Sequence, residues 1–360
     1  MKLTATVKLN PTPEQQQALL ETLQVANQCA NWMSEQAFQS QKFKFYDLHN
    51  LVYYEAKARF DLAAQVVVRL IAKVSGAYKL GKLVQRTFHL AGSIAYDDRI
   101  LHWYVDKQTV SIWTIQGRMK IPFQAGEKQL HLLQHRKGES DLILHRGRFH
   151  LAATCDIDEP GPSTVDDYLG VDLGVVNIAS DSDRKHHSGG HVNNIRRTSR
   201  NLRSKLQACQ TRSAKRKLKK LSGREQRFAR DVNHCISKQI VAKAERTGRG
   251  VAIEDLKGIR SRIRAGRKQR AVLHSWAFYQ LRRFISYKAQ RVGVPLVLVD
   301  PKNTSRMCSC CGHIAKENRS SQSVFRCVSC GHEDNADFNA AENIRRAAVN
   351  RPIVTICVAA

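Results

Sequence analysis

Two pairs of cysteines near the C-terminal end of the chain have the spacing of a metal site. Cys308 and Cys311 form one C-x-x-C pair, Cys327 and Cys330 form a second, and fifteen residues separate the pairs. Each pair places two sulfur atoms on one tight turn, and the glycine that follows it permits a positive φ there. Four thiolates on two facing turns are the ligands of a closed tetrahedral zinc site. The spacing therefore predicts a structural zinc ribbon.

Three carboxylates lie at positions where oxygen ligands could converge on a second metal site. Asp172 interrupts an apolar strand, Glu254 closes a later short strand, and Asp337 begins a helical run directly after the ribbon. Burying a lone carboxylate costs several kcal/mol unless a partner such as a metal ion compensates for it. Oxygen ligands without histidine select Mg²⁺ or Mn²⁺. Two such ions could activate water and stabilise the leaving oxygen of a phosphodiester.

The order of these acids along the chain is more informative than any one of them, because acids at strand ends are also common as caps and surface groups. Side chains alternate along a strand, so only one of Glu254 and Asp255 can face a shared pocket. We choose Glu254, which shares a face with Ala252. Glycines at 170 and 174 are expected to keep the space beside Asp172 open.

The composition indicates a polyanionic partner. The chain of 360 residues carries 59 Lys and Arg against 31 Asp and Glu, a net charge of +28. With no long apolar stretch, nucleic acid is a better candidate than a membrane. Residues 196–230 hold fourteen basic residues and one acid, which predicts a helical arm that contacts phosphates. The candidate contacts in this arm are Arg216, Lys217, Lys220 and Arg227.

A second candidate surface lies in the N-terminal half. Gln65, Arg69 and Lys73 recur at i, i+4 and i+8 on the polar face of a predicted helix. Such a stripe could contact phosphates or bases, and it could equally be a solvated face.

The other cysteines do not indicate a disulfide scaffold. Cys310 lies inside the first C-x-x-C pair with the wrong spacing, and the scattered remainder are expected to be buried thiols. This usage suits a reducing compartment, and the N-terminus alternates like a strand without the apolar region of a signal peptide. We therefore expect a cytoplasmic protein.

The elements that must position the acids are divided by a proline and glycine stretch at 159–163. Before it, residues 1–10 and 92–160 alternate like strands, while residues 11–91 are helical and open with a Thr12–Gln15 capping box. After it, residues 166–304 and 334–360 are predicted to form a mixed α/β unit, with the ribbon inserted at 305–333. A basic, glycine-containing stretch at 257–270 could form a lid. Three acids in this order are the arrangement of an RNase H-like nuclease.

Several motifs resemble the TnpB family, which consists of transposon-encoded, OrfB-type, RNA-guided DNA endonucleases related to type V CRISPR effectors. They are G-V-D-L-G-V-V-N, V-A-I-E-D-L-K-G-I-R, the four-cysteine ribbon and D-F-N-A-A. The match is close over 169–345, and N-P-T-P-E-Q extends it to the N-terminal half. The sequence departs from the family pattern at none of the three acids or four cysteines.

The resemblance implies an α+β multidomain fold. Its parts would be a wedge domain (1–10 and 92–160), a helical recognition lobe (11–91), and a RuvC-like nuclease domain with an inserted zinc ribbon. It also implies a catalytic triad of Asp172, Glu254 and Asp337, a guide RNA from the transposon end, and double-stranded DNA with a target-adjacent motif. Two alternatives share the charge and the ribbon: a transposition regulator that only binds nucleic acid, and a transposase that joins strands itself.

Overall fold

A computed structural model describes residues 1–256 and 278–350 of the chain. The chain divides into two compact units, Met1–Asp158 and Glu159–Ala360, and the boundary falls where the proline and glycine stretch begins. The possible lid at 257–270 and the tail at 351–360 lie outside the described residues. The finer domain limits stay predictions.

The first unit is built on a seven-stranded sheet in the order β2-β6-β7-β1-β5-β4-β3. The first strand pairs antiparallel with β7 and β5. β6 and β7 form an antiparallel hairpin. The strands are β1 (Lys2–Leu9), β2 (Ile94–Tyr96), β3 (Leu101–Tyr104), β4 (Thr109–Thr114), β5 (Gly117–Gln124), β6 (Arg136–His145) and β7 (Arg148–Asp156).

The helices of the first unit pack their apolar faces into the same core as this sheet. Thr12 caps the first helix through its side chain, and the Gln15 side chain accepts from the Thr12 N–H, which confirms the capping box. The helices are α1 (Pro13–Ser40), α2 (Phe45–Phe60), α3 (Ala64–Tyr78) and α4 (Glu127–Gln134).

The second unit contains a five-stranded sheet in the order β10-β9-β8-β11-β12. The second strand of the unit, β9, runs antiparallel to both β8 and β10, and the last two strands run parallel to β8. This order and these directions are the topology of an RNase H-like sheet, so the predicted fold class is confirmed. The strands are β8 (Tyr168–Asp172), β9 (Asn177–Asp181), β10 (His186–Ser188), β11 (Gly250–Glu254) and β12 (Leu296–Val299).

Helices cover both faces of this second sheet because both faces of its parallel strands are apolar. One face packs in a core with residues of α7 and α8, and the other packs against α9. The ribbon adds a two-stranded sheet of β13 and β14. The elements are α5 (Gly190–Cys209), α6 (Arg212–Leu221), α7 (Arg224–Arg246), α8 (Phe278–Arg291), β13 (Val324–Arg326), β14 (Glu333–Asn335) and α9 (Ala336–Asn350).

Candidate active site and four-cysteine cluster

Two of the candidate acids end adjacent parallel strands. Asp172 is the last residue of β8 and Glu254 is the last residue of β11. The register pairs Gly170 with Ala252 and Val171 with Ile253, so the next step brings Asp172 beside Glu254. Because parallel strands share their carboxyl-terminal edge, both acids lie at the same edge of the sheet.

Both acids also face the helix that carries the third. Tyr168 and Ala252, which alternate in phase with Asp172 and Glu254, pack against Ile344 and Ala348 of α9. Asp337 lies in the first turn of this helix, and its N–H donates to Asn335 Oδ1 at 2.9 Å. The sheet edge and the start of α9 therefore hold the three carboxylates on one side of the sheet.

Glu254 and Asp255 have different surroundings. Glu254 is buried, with 8% exposure, and accepts a hydrogen bond from the Thr304 hydroxyl. Asp255 instead accepts from Arg282 Nη1 of α8 at 2.6 Å. The alternation of the strand thus directs the two acids to opposite sides, with Glu254 on the side of Asp172.

The charges of the other two acids act on Asp172. Burial of its carboxyl group, together with repulsion from Glu254 and Asp337, raises the pKa of Asp172 to about 8, and Arg319 opposes this rise. Burial also raises the pKa of Glu254, with the Thr304 hydroxyl opposing and Asp300 adding to the rise. A divalent cation among the three carboxylates would supply the opposite charge that these groups need.

Three residues that act on the acids could not have been identified from the sequence. Asn177 donates its amide to Asp337 Oδ2 at 2.8 Å, and Thr304 donates to Glu254. Arg319 lies between the two cysteine pairs, yet its charge acts on Asp172. Each contact joins segments far apart along the chain, so no local motif contains both partners.

Gly170 has a different role from the predicted one. A Cβ atom built there would lie 2.1 Å from the Ala341 carbonyl oxygen and 2.7 Å from the Arg345 nitrogen, both in the backbone of α9. The glycine therefore lets the helix approach the strand, and the expectation that it keeps open space beside Asp172 is wrong. At Gly174 a Cβ atom would lie 2.8 Å from the Asn177 carbonyl oxygen, so that position is not open either.

The four predicted cysteines form a cluster that fits zinc. The sulfur atoms of Cys308, Cys311, Cys327 and Cys330 all lie within 4.8 Å of one another. The separations are 3.7 Å for Cys308 and Cys330 and 3.6 Å for Cys311 and Cys327. Tetrahedral ligands with Zn–S bonds of about 2.3 Å would be roughly 3.8 Å apart, so the cluster has the right size.

The turns around these cysteines match the prediction as well. Gly312 and Gly331 have φ of 76° and 70°, and their N–H groups donate to the carbonyl oxygens of Cys308 and Cys327. The N–H of Cys330 lowers the pKa of Cys327, whereas burial raises the pKa of Cys308. Cys310 is exposed and is not part of the cluster.

The three acids are more loosely gathered than the cysteines. Among residues 1–256 and 278–350, they do not form a group whose oxygen atoms all lie within 4.8 Å. Their assignment as metal ligands therefore rests on their shared face and on the charges that Asp172 experiences. The expectation of buried thiols elsewhere is wrong for Cys209 and Cys235, which are exposed, and correct for Cys29 and Cys155.

The predicted nucleic-acid residues of the first unit are engaged inside that unit. Gln65 donates to Asp97, and Arg69 contacts Glu139. Lys73 donates to Asn27 Oδ1 at 2.6 Å and to the Ser93 carbonyl at 2.8 Å, and burial lowers its pKa to about 8. Their role in nucleic-acid binding stays a prediction.

The basic arm has the predicted helical form and the predicted exposure. It consists of α5, α6 and the start of α7. The four candidate contacts are exposed, namely Arg216, Lys217, Lys220 and Arg227. Among the described residues, no helix is long and apolar enough to cross a membrane.

The fold and the cysteine cluster define a class of protein, in which an RNase H-like α/β unit carries a four-cysteine ribbon. Residues 154–258 match a family model described as a probable transposase, and residues 278–344 match one described as a Cas12f1-like TNB domain. A TnpB-like protein of Methanocaldococcus jannaschii is 34% identical over 128 residues, which cover 35% of this chain and 45% of that protein. The chain is thus related to the TnpB proteins, as its motifs predict.

Longer relatives carry more specific names. The CRISPR-associated endodeoxyribonuclease Cas12f1 of Sulfoacidibacillus thermotolerans is 35% identical over 193 residues, covering 49% of this chain and 44% of that protein. The putative RNA-guided DNA endonuclease InsQ of Escherichia coli strain K12 is 32% identical over 200 residues, covering 49% and 48%. The chain spans about half the length of these curated relatives.

A solved structure shares the fold. The Cas12f1 chain from a complex with sgRNA and target DNA has a TM-score of 0.60 and covers 95% of this chain and 84% of its own length. At 17% sequence identity this likeness concerns the fold alone.

Proposed function

We propose that this chain is a transposon-encoded, RNA-guided DNA endonuclease that hydrolyses phosphodiester bonds with divalent metal ions. The observation that carries the proposal is the position of Asp172, Glu254 and Asp337 on one side of the RNase H-like sheet. The raised pKa of Asp172 supports it, because this acid experiences the charges of both others. A protein that only binds nucleic acid gives no reason for three acids on one side of a sheet, two of which repel the charge of Asp172.

In this proposal Asp172, Glu254 and Asp337 hold Mg²⁺ or Mn²⁺. When bound, the ions supply an activated water and stabilise the leaving 3′ oxygen. Thr304 fixes the orientation of the Glu254 carboxylate, and Asn177 does the same for Asp337. The positive charge of Arg319 lies close enough to act on Asp172, so it could also offset the charge of a scissile phosphate.

The partners follow from the charge and from the names of the relatives. The basic arm would hold a guide RNA from the transposon end, and RNA pairing with one strand would supply sequence specificity. The first unit would act as the wedge domain and helical recognition lobe and would contact a target-adjacent motif in double-stranded DNA. Zinc in the four-cysteine cluster would be structural. We place this activity at the nucleoid, in the cytoplasm of a prokaryote.

Expression of the protein from its own locus, followed by purification and sequencing of the bound RNA, tests the proposal. We expect one abundant RNA that ends at a transposon boundary. The complex should then cut a plasmid library in Mg²⁺, and Asp172→Ala should abolish cutting while it retains the RNA.

Three outcomes would favour other functions. Strand joining without a guide would favour a transposase. Binding without cutting would favour a regulator. Continued cutting by Asp172→Ala would remove the catalytic assignment.

A further inference from the structure

Two asparagines in the D-F-N-A-A-E-N motif have buried side chains that the acid site does not use. Asn339 and Asn343 lie one turn apart in α9, with exposures of 0% and 1%. Asn339 Nδ2 donates to the Met307 carbonyl at 2.8 Å, and its Oδ1 accepts from the Ser309 N–H at 2.9 Å. Both partners flank Cys308, so this side chain holds the backbone of the first cysteine turn.

Asn343 holds the same segment from the next turn of the helix. Its Nδ2 donates to the carbonyl oxygens of Thr304 at 2.9 Å and Met307 at 2.7 Å. Both partners are acceptors, so the amide nitrogen must face them whatever the rotamer assignment. The two asparagines therefore attach residues 304–309, at the start of the ribbon, to the helix whose first turn carries Asp337.

The attached segment reaches a second acid. Thr304, which is 5% exposed, donates its hydroxyl to Glu254 at the end of β11. One continuous set of buried contacts thus connects the first cysteine turn with α9 on one side and with Glu254 on the other. A shift of this turn would move Thr304 relative to Glu254 and would strain the start of α9.

We propose that Asn339, Asn343 and Thr304 are positioning residues that make metal binding at the acids depend on the folded ribbon. This inference rests on the proposed function, since it assumes that the acids bind Mg²⁺ or Mn²⁺. Groups that orient metal ligands typically change metal affinity by about 10-fold to 100-fold when they are removed. Loosening the connection should therefore raise the metal concentration that the site needs. Loosening it at the asparagines, which do not contact the acids, should leave the rate at saturating metal nearly unchanged.

Asn343→Asp is the most informative variant. It is nearly isosteric, but it places a carboxylate oxygen against the two carbonyl oxygens that the amide now donates to. Asn350→Asp is the matched control, because Asn350 is exposed at the end of the same helix. Thr304→Val removes one hydroxyl and serves as a second variant if Asn343→Asp loses zinc or unfolds.

The experiment measures Mn²⁺ binding to the guide-loaded protein by the loss of the free Mn²⁺ signal in electron paramagnetic resonance. Zinc content, melting temperature and the Mg²⁺ dependence of cleavage are recorded for each variant. We expect Asn343→Asp and Thr304→Val to bind Mn²⁺ about 10-fold more weakly and to need more Mg²⁺ for half-maximal cleavage. The zinc content of both variants, and the maximal rate of Asn343→Asp, should match those of Asn350→Asp.

Two results would overturn the inference, and only the second would also overturn the proposed acid site. If the wild-type protein binds Mn²⁺, Asp172→Ala does not, and Asn343→Asp and Thr304→Val equal the wild type, then only the positioning role fails. The second result is that the wild-type protein binds no Mn²⁺, or binds Mn²⁺ that Asp172→Ala does not abolish. The proposed acid site then fails together with the positioning role.

Discussion

Two neighbouring acids, Glu254 and Asp255, can be separated by one property of a strand. Alternation sends Glu254 to the side of Asp172 and sends Asp255 to Arg282. The sequence was sufficient for this choice because the period of a strand is local. It was not sufficient for Thr304 and Asn177, which contact the acids, or for Arg319, whose charge acts on Asp172, because these effects depend on how distant segments pack.

Paired substitutions at these two positions follow from their different surroundings. Glu254→Gln keeps the shape of the side chain but removes a charge that the metal site needs, so cleavage should fall by at least about 100-fold. Asp255→Asn removes an ion pair that is partly exposed and should retain cleavage within a few-fold. Initial cleavage rates of the two guide-loaded variants measure this difference. An active Glu254→Gln would contradict the assignment of Glu254 as a metal ligand.

The raised pKa of Asp172 predicts a stability that depends on pH. Folding raises the pKa of this acid from 3.8 to about 8, so between these values the folded state keeps a proton that the unfolded chain releases. The free energy of unfolding of the wild type should therefore decrease as the pH rises across this interval. Without divalent metal, Asp172→Asn should be more stable than the wild type at pH 8, by about 2 kcal/mol or more.

Thermal melts between pH 4 and pH 8 measure this effect. The gap between Asp172→Asn and the wild type should narrow toward pH 4, and added Mg²⁺ should stabilise the wild type alone. A gap that does not vary with pH would show that Asp172 does not titrate in this range.

At the next scale, the elements that carry the acids depend on close packing of α9 against β8. Strand alternation, the capping box and the C-x-x-C turns predict β1, α1 and the ribbon because each signal is contained in a few neighbouring residues. The contact between α9 and Gly170 is not contained in either segment. A glycine in a strand is compatible with open space and with close approach, and only the packed structure distinguishes them.

Substitution of Gly170 tests this packing. Gly170→Ala would place a Cβ atom 2.1 Å from the backbone of α9, which cannot move like a flexible side chain. We expect a loss of about 3 kcal/mol in the free energy of unfolding, together with reduced cleavage. Gly161→Ala is the control, since nothing lies within 4 Å of its Cβ position. Urea unfolding of both variants gives the comparison, and equal stabilities would contradict the close approach.

For the molecule as a whole, the net charge of +28 is the dominant property. A chain this basic gains affinity for nucleic acid by releasing counterions, so binding should weaken steeply as salt increases. The sequence predicts this behaviour without a structure, since it depends on the number of charges. Which charges contact phosphates depends on exposure, and the structure favours the basic arm over the engaged residues of α3.

The salt dependence of nucleic-acid binding tests whether the basic arm contacts phosphates. Changing Arg216, Lys217, Lys220 and Arg227 to Gln should lower the slope of log affinity against log salt by about 3 to 4 for duplex nucleic acid. Exchanging Arg and Lys at the same four positions keeps the charge and should keep the slope. Fluorescence anisotropy titrations at several salt concentrations supply these slopes. An unchanged slope in the Gln variant would exclude the arm from phosphate contact.

Whether the three acids share metal ions can be seen by anomalous diffraction from crystals soaked in Mn²⁺. We expect anomalous density between the carboxylates of Asp172, Glu254 and Asp337, and no such density in crystals of Asp172→Ala. Carboxylates that bind no Mn²⁺ at saturating concentration, or ions held by other residues, would contradict the nuclease assignment and leave a protein with a cysteine ribbon that binds nucleic acid.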